Sequence, residues 1–262
     1  MKRVFQREFK EEETEAPRRI TRIGVTGLNE GNGATFVATS LACALAEKKM
    51  SVAFAEIREG ILTKPLLYDG LAMDRRFRSR TFYDTYRILK AEGSIRGVRN
   101  MDENINWLLM THDAARQGLY LTGPEKLRLI GGVSEDALVC DIDDREDLET
   151  LLHEFDLIIA VIDPMPSKIL SSGRLITQIK GIKAEGRGPA VCWVINKFNK
   201  GVSRRRLAEH LKIRDAVRVP LIRSDWFYTA EYNCRIPYRQ REICEKIKKP
   251  LEEIINHHIT IT

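Results

Sequence analysis

Gly27-Leu28-Asn29-Glu30-Gly31-Asn32-Gly33-Ala34-Thr35-Phe36 follows the apolar run Ile23-Gly24-Val25-Thr26 and leads into Phe36-Val37-Ala38-Thr39-Ser40-Leu41-Ala42-Cys43-Ala44-Leu45-Ala46. The first run reads as a strand. The last, alanine-rich with helical spacing, reads as a helix, so the glycines lie in a strand-to-helix turn. Such a turn is suited to holding phosphate: glycines let backbone N–H groups converge, and the helix start adds a partial positive charge. The stretch departs from the phosphate-loop pattern G-x-x-x-x-G-K-[ST] at one place, with Ala34 before Thr35 where the lysine belongs. The residues alone allow two readings, a cradle without its main charge or a tight turn that has lost its ligand.

Around this stretch, strand-like and helix-like segments alternate. Val52 to Ile57, Ile105 to Met110, Ala137 to Cys140, Leu157 to Ile162 and Val191 to Ile195 are apolar runs of strand length. Continuous apolar runs belong to strands buried on both faces, so the expected fold is α/β, a mostly parallel sheet with helices on both sides. Three of these runs end at polar residues, Asp141, Asp163 and Asn196. Ligand sites of open α/β sheets lie at the carboxyl ends of the strands, so these residues are expected to face the glycine-rich turn. Thr122-Gly123-Pro124-Glu125 reads as a helix start, with a capping threonine, proline in the first turn and an acid near the positive dipole end. Residues 60 to 100 read as helical pieces joined by arginine-rich loops.

Composition narrows the class. The 262 residues, 43% hydrophobic and 31% charged, suit one soluble α/β domain. The longest apolar run is far short of the about 18 residues a membrane span needs. Residues 1–20 carry Glu11-Glu12-Glu13 among basic residues and no apolar core of a signal peptide, and are read as a tail before a domain over 21–262. Five scattered cysteines, without metal-site spacing, read as reduced thiols of a cytoplasmic protein. The net charge of +6 is concentrated in Arg75-Arg76-Phe77-Arg78-Ser79-Arg80 and Arg204-Arg205-Arg206. These are solvated faces or contacts for an acidic partner such as nucleic acid or anionic lipid, which composition does not separate.

The order of the pieces resembles the deviant-Walker P-loop ATPases of the MinD/ParA group, over residues 21 to about 257. Gly31-Asn32-Gly33-Ala34-Thr35 stands where that group has G-x-G-K-T. Glu103 to Leu109 is similar to its "ENLYILP" strand, and Asp136-Ala137-Leu138-Val139-Cys140-Asp141 to its Walker B strand. Phe155 to Pro164 resembles the strand after that, Val194-Ile195-Asn196-Lys197 the "h-h-N-[KR]" strand end, and Arg218-Val219-Pro220 the final strand-to-proline step. The resemblance implies ATP or ADP as ligand, with Mg²⁺. It places the nucleotide on Gly31, Asn32, Gly33, Ala34, Thr35, Phe36, Asn196 and Pro220, and the metal on Thr35 and Asp141. On the residues alone, Asp141 is equally a structural strand-end acid, Asn196 a turn residue, and Asp163 a cap for the segment that follows.

The departures from the group matter as much. Ala34 replaces the lysine that binds the β- and γ-phosphates, and Asn29 the signature lysine that reaches across a nucleotide-sandwich dimer. The group's D-x-D after its second strand reads Glu56-Ile57-Arg58 here. The G-x-G-A-T form resembles the TadZ/CpaE branch of pilus-assembly and localisation proteins. A charge-assisted hydrogen bond contributes about 1.5–3 kcal/mol, so losing one lysine weakens ATP roughly ten- to a hundredfold. Hydrolysis suffers more, because phosphoryl transfer depends on positioning and charge stabilisation.

What the resemblance implies is therefore a degenerate nucleotide-binding protein with little or no hydrolysis, acting through protein partners of a localisation or assembly system, as a homodimer or recruited to a membrane-associated complex. The rival expectations are a slow ATPase and a DNA-associating partition module. The C-terminal stripe of Ile243, Ile247, Leu251, Ile254 and Ile255, interrupted by Pro250, either packs on the sheet or contacts a membrane.

Overall fold

The computed structural model describes residues 20–58, 65–143, 145–184, 188–213 and 215–260. All but the last residue of the tail expected over 1–20 lies outside them. Eight strands are formed: β1 (Thr21–Gly27), β2 (Val52–Arg58), β3 (Met101–Asp102), β4 (Ile105–Leu108), β5 (Ala137–Asp143), β6 (Leu157–Ile162), β7 (Ala190–Phe198) and β8 (Ala216–Pro220). They make one sheet in the order β3-β4-β2-β5-β1-β6-β7-β8, parallel throughout except for β3, which pairs antiparallel with β4. The expected α/β class is present, and β5, β1, β6 and β7 are neighbours in that order.

The connections are helical: α1 (Ala34–Glu47), α2 (Leu67–Gly70), α3 (Met73–Arg76), α4 (Thr85–Lys90), α5 (His112–Arg116), α6 (Gly123–Gly131) and α7 (Leu148–Leu152). On the other half of the sheet come α8 (Pro166–Ser171), α9 (Gly173–Ala184), α10 (Arg204–Leu211), α11 (Ser224–Tyr232) and α12 (Arg241–His258). The helical pieces expected between 60 and 100 are α2 to α4, with residues 59–64 outside the described set. Thr122 starts α6 as expected, its N–H donating to Glu125 Oε2 at 2.7 Å, half of a capping box.

The core follows from the sequence pattern. Every residue of β2 and β6 is buried, and α1 buries ten consecutive residues, Val37 to Ala46. Its many alanines let the helix lie close on β1, β2 and β5. On the far half, α12 buries Ile243, Ile247, Pro250, Leu251, Ile254 and Ile255 and packs against β7 and β8. Pro250, read as an interruption, is accommodated inside one continuous helix. The C-terminal stripe is thus committed to the sheet. Cys43, Cys140 and Cys192 are buried free thiols, and burial pushes the Cys43 and Cys192 thiols up to about 12, which leaves them inert.

Candidate functional site

The carboxyl ends of β1, β5, β6 and β7 converge on the glycine-rich turn. Gly31 and Gly33 take left-handed φ angles of 65° and 86°, and an added Cβ at Gly33 would lie 2.3 Å from Asn196 Nδ2. Only glycine fits there. The loop carbonyls turn outward onto donors. Leu28 O accepts from Ser172 Oγ at 3.1 Å, Glu30 O from Lys168 Nζ at 3.2 Å and Asn32 O from Asn196 Nδ2 at 2.7 Å. Gly31 O accepts from Lys197 Nζ, Gly27 O from the Arg145 guanidinium, and Gly33 O from Val37 N–H in the first turn of α1.

With its carbonyls held back, the loop presents its amides. The N–H groups of Gly31, Gly33, Thr35 and Phe36 meet no acceptor among the described residues, while that of Asn32 closes the turn over Glu30 and Gly31. Ala34 N–H is also taken, donating to Asn32 Oδ1 at 3.0 Å, while Asn32 Nδ2 anchors the turn to Val161 O at 3.1 Å. Converging amides at the start of the 14-residue helix α1 form an anion-binding nest. The residues present therefore fit a phosphate group without the lysine.

A second cluster borders this nest. Thr35 Oγ1 donates to Asp141 Oδ2 at 2.6 Å, and Asp141 lies in register with Glu56 on β2. Glu56 is buried, its Oε1 accepting from Arg58 Nη1 at 3.1 Å, while Oε2 has no partner. Burial pushes the Glu56 carboxyl up to about 7; Arg58 opposes that and the Asp141 charge adds to it. A hydroxyl and a carboxylate in contact, with an orphaned carboxyl oxygen nearby, are oxygen donors of the kind that would suit a divalent cation. Among the described residues no three His, Cys, Asp or Glu side chains form a metal site of their own.

The other expected residues are accounted for. Asn196 is buried, with Nδ2 on the loop and Oδ1 accepting from Lys197 N–H at 2.9 Å. Pro220 ends β8 beside Phe198. The Phe36 ring meets Phe227 of α11 edge-on, centroids 5.0 Å apart. Asp163 accepts from Met165 N–H at 3.2 Å just before α8, but Met165 and not Asp163 is the N-cap and no side chain caps that helix; Asp163 also accepts from Lys168 and Lys197 at 3.0 Å each. Burial alone would raise its carboxyl, but the hydrogen bonds from both lysines and from the Met165 amide outweigh that and hold it below its ordinary value. The sequence reading missed Lys168, Ser172 and Arg145 and gave Lys197 no role of its own. A lysine directly after Asn196 was the one available signal.

Beside this cluster opens a groove of about 820 Å³, lined by Asp163, Lys168, Lys197, Met165, Leu170 and Leu221 among others. Met165, Leu170 and Leu221 are 55%, 69% and 56% exposed. The arginine cluster at 75–80 is largely committed elsewhere. Arg76 Nη1 contacts Asp102 Oδ2 at 2.6 Å and Glu103 Oε1 at 3.1 Å, and Arg80 pairs with Asp102 at 3.2 Å and lies over the Phe77 ring.

An eight-stranded, mainly parallel sheet with a glycine-rich loop at the carboxyl end of β1 defines the ParA/MinD-type P-loop α/β fold. Solved structures share it: the ParA family ATPase of Chlorobium tepidum TLS (TM-score 0.69, 15% identity, covering 90% of this chain and 99% of that one), and the septum site-determining protein MinD of Pyrococcus horikoshii OT3 complexed with Mg-ADP (0.68, 16%, 90% and 96%). A plasmid partition protein of Borrelia burgdorferi B31 bound to AMPPNP is similar to the same degree (0.67, 17%, 91% and 99%). No protein-family model matches the chain, and no curated protein matches it in sequence.

Proposed function

We propose that this chain is a degenerate ParA/MinD-type protein that binds ATP or ADP with little or no hydrolysis and acts as a localisation or assembly factor through protein contacts, its domain spanning 21–262. The observation that carries this reading is the loop itself, whose outward carbonyls and inward amides make an anion nest in the absence of the lysine. The amides of Gly31, Gly33, Thr35 and Phe36 hold the phosphates, with Asn32 and Ala34 between them, while Asn196 and Pro220 border the base. Thr35 and Asp141 hold Mg²⁺, which when bound supplies charge neutralisation to the phosphate oxygens. Two of the similar structures carry AMPPNP and Mg-ADP, in keeping with such a ligand.

Hydrolysis is a different matter. Arg58, where the resemblance expects an acid near the attacking water, is buried and donates to Glu56 Oε1 and to Pro65 O at 2.9 Å. A guanidinium accepts no proton. The exposed apolar rim of Met165, Leu170 and Leu221 supports the protein contacts, with a partner or a second copy, because such rimmed patches mark interaction surfaces. Among the described residues no helix is long and apolar enough to cross a membrane. The test is calorimetric titration with ATP, ADP and GTP, with and without Mg²⁺, beside a phosphate-release assay. Saturable adenine-nucleotide binding with background release is the expected result. Sustained release would establish the slow ATPase instead, and no binding would leave the loop a turn.

A further inference from the structure

Two lysines that come from outside the loop stand behind it. Lys168, in α8, and Lys197, at the end of β7, each place Nζ 3.0 Å from Asp163 Oδ2, a carboxylate whose side chain is 7% exposed. Lys168 Nζ also donates to Glu30 O at 3.2 Å and Lys197 Nζ to Gly31 O. One acid thus ties two ammonium groups together, and both press on adjacent loop carbonyls. Asn29, in the place of the signature lysine, is neutral and faces α8, its Nδ2 donating to Lys168 O and Ser172 Oγ, both at 2.9 Å. Arg145 is bound to Gly27 O, and Arg58 to Glu56 and Pro65. These four cations all have protein acceptors.

Resting on the nucleotide reading above, we propose that the loop is a diphosphate site organised from behind: Lys168 and Lys197, bridged by Asp163, are positioning residues that hold the Glu30 and Gly31 carbonyls away from the ligand, and the loop binds ADP as tightly as ATP. Discrimination in favour of a third phosphate requires a contact made only with that phosphate. The amide nest serves any phosphate seated in it, while the two lysines nearest the loop are held by Asp163 and the loop carbonyls. The surplus charge of this trio, two cations against one carboxylate, adds a general pull on anions without counting phosphates.

Calorimetry with Mg-ADP and Mg-AMPPNP on the full chain tests the ligand class. Dissociation constants within about threefold are expected, and AMPPNP binding tighter by about tenfold or more overturns the diphosphate assignment. Lys197→Met should weaken both nucleotides about tenfold, whereas Lys197→Arg, which keeps a charged donor, should retain most of the affinity. A ligand-free readout separates positioning from general damage. By NMR, amide exchange at Ala34 and Val37, whose N–H groups donate to Asn32 Oδ1 and Gly33 O of the loop, should quicken in Lys197→Met while Ala53 and Val139 in the sheet stay protected. Unchanged exchange at the loop, or unchanged affinity in a protein that binds nucleotide, overturns the positioning role and leaves the nucleotide reading standing. If the wild type binds neither nucleotide, the nucleotide reading falls and the ligand class with it, and the exchange measurement alone decides the role of the lysines.

Discussion

At the residue scale the site is set by which atoms lack partners. Glu56 is the sharpest case, a buried carboxyl with Oε2 orphaned, beside Asp141 and paired through Oε1 with Arg58. Its folded-state value of about 7 lies above the ordinary 4.5. The folded state therefore binds more protons than the unfolded chain between those values, and stability falls as pH rises through that window. Glu56→Gln should flatten this part of the profile, measured by urea unfolding at pH 5, 6, 7 and 8; an unaltered slope would remove Glu56 as its source. Thr35 gives a complementary expectation. Its hydroxyl is on the exposed start of α1 and contacts Asp141 at 2.6 Å. Thr35→Ala should weaken Mg-ADP about tenfold, the loss of one polar contact at the ligand, and shift the ligand-free Tm little. Equal affinities in the two proteins, measured by titration in Mg²⁺, would place the metal elsewhere.

At the scale of elements, the strands were legible because β1, β2, β5, β6 and β7 are buried on both faces and so read as unbroken apolar runs. The two-residue β3 was not, since a pair formed by Met101 and Asp102 carries no periodicity. The candidate site was legible where chemistry is local in sequence: the loop from Gly27 to Phe36, and Asp141 and Asn196 at strand ends. It was illegible where contacts span the chain. Lys168 meets Glu30 across 138 residues, and nothing in its short helix announces that. The role of α12 was left between sheet and membrane, because an apolar stripe looks the same for either; burial of Ile243, Ile247, Leu251, Ile254 and Ile255 resolves it. Ile254 is fully buried, so Ile254→Ala should cost about 2–5 kcal/mol by transfer and cavity terms, read as a lower midpoint in denaturant with unchanged slope. A loss below about 0.5 kcal/mol, the size of a surface change, would mean that α12 is not docked in solution.

At the scale of the whole molecule, the loop adds to the β1–β6 pairing as a link between the two halves of the sheet. It hangs from β1, its amides open α1, and its carbonyls rest on donors from the β6 and β7 side: Ser172, Lys168, Lys197 and Asn196. Seating an anion in the nest therefore fixes groups from both halves, and binding to the folded state alone raises stability by mass action. At about 100 times the dissociation constant the gain is about 2.7 kcal/mol, and a domain of this size shifts by about 2–4 °C per kcal/mol. Mg-ADP at saturation should thus raise Tm by roughly 5–10 °C. Because Lys197 acts on the loop rather than on the sheet, Lys197→Met should lose about half of that increment at equal nucleotide concentration while starting from a nearly unaltered ligand-free Tm. Differential scanning calorimetry of both proteins over a nucleotide series decides it. The increment should grow with the logarithm of concentration in the wild type and be displaced by about a decade in the variant. Superimposable curves would mean that the lysines and the nest are uncoupled, and a Tm that ignores Mg-ADP altogether would return the loop to the status of a turn between β1 and α1.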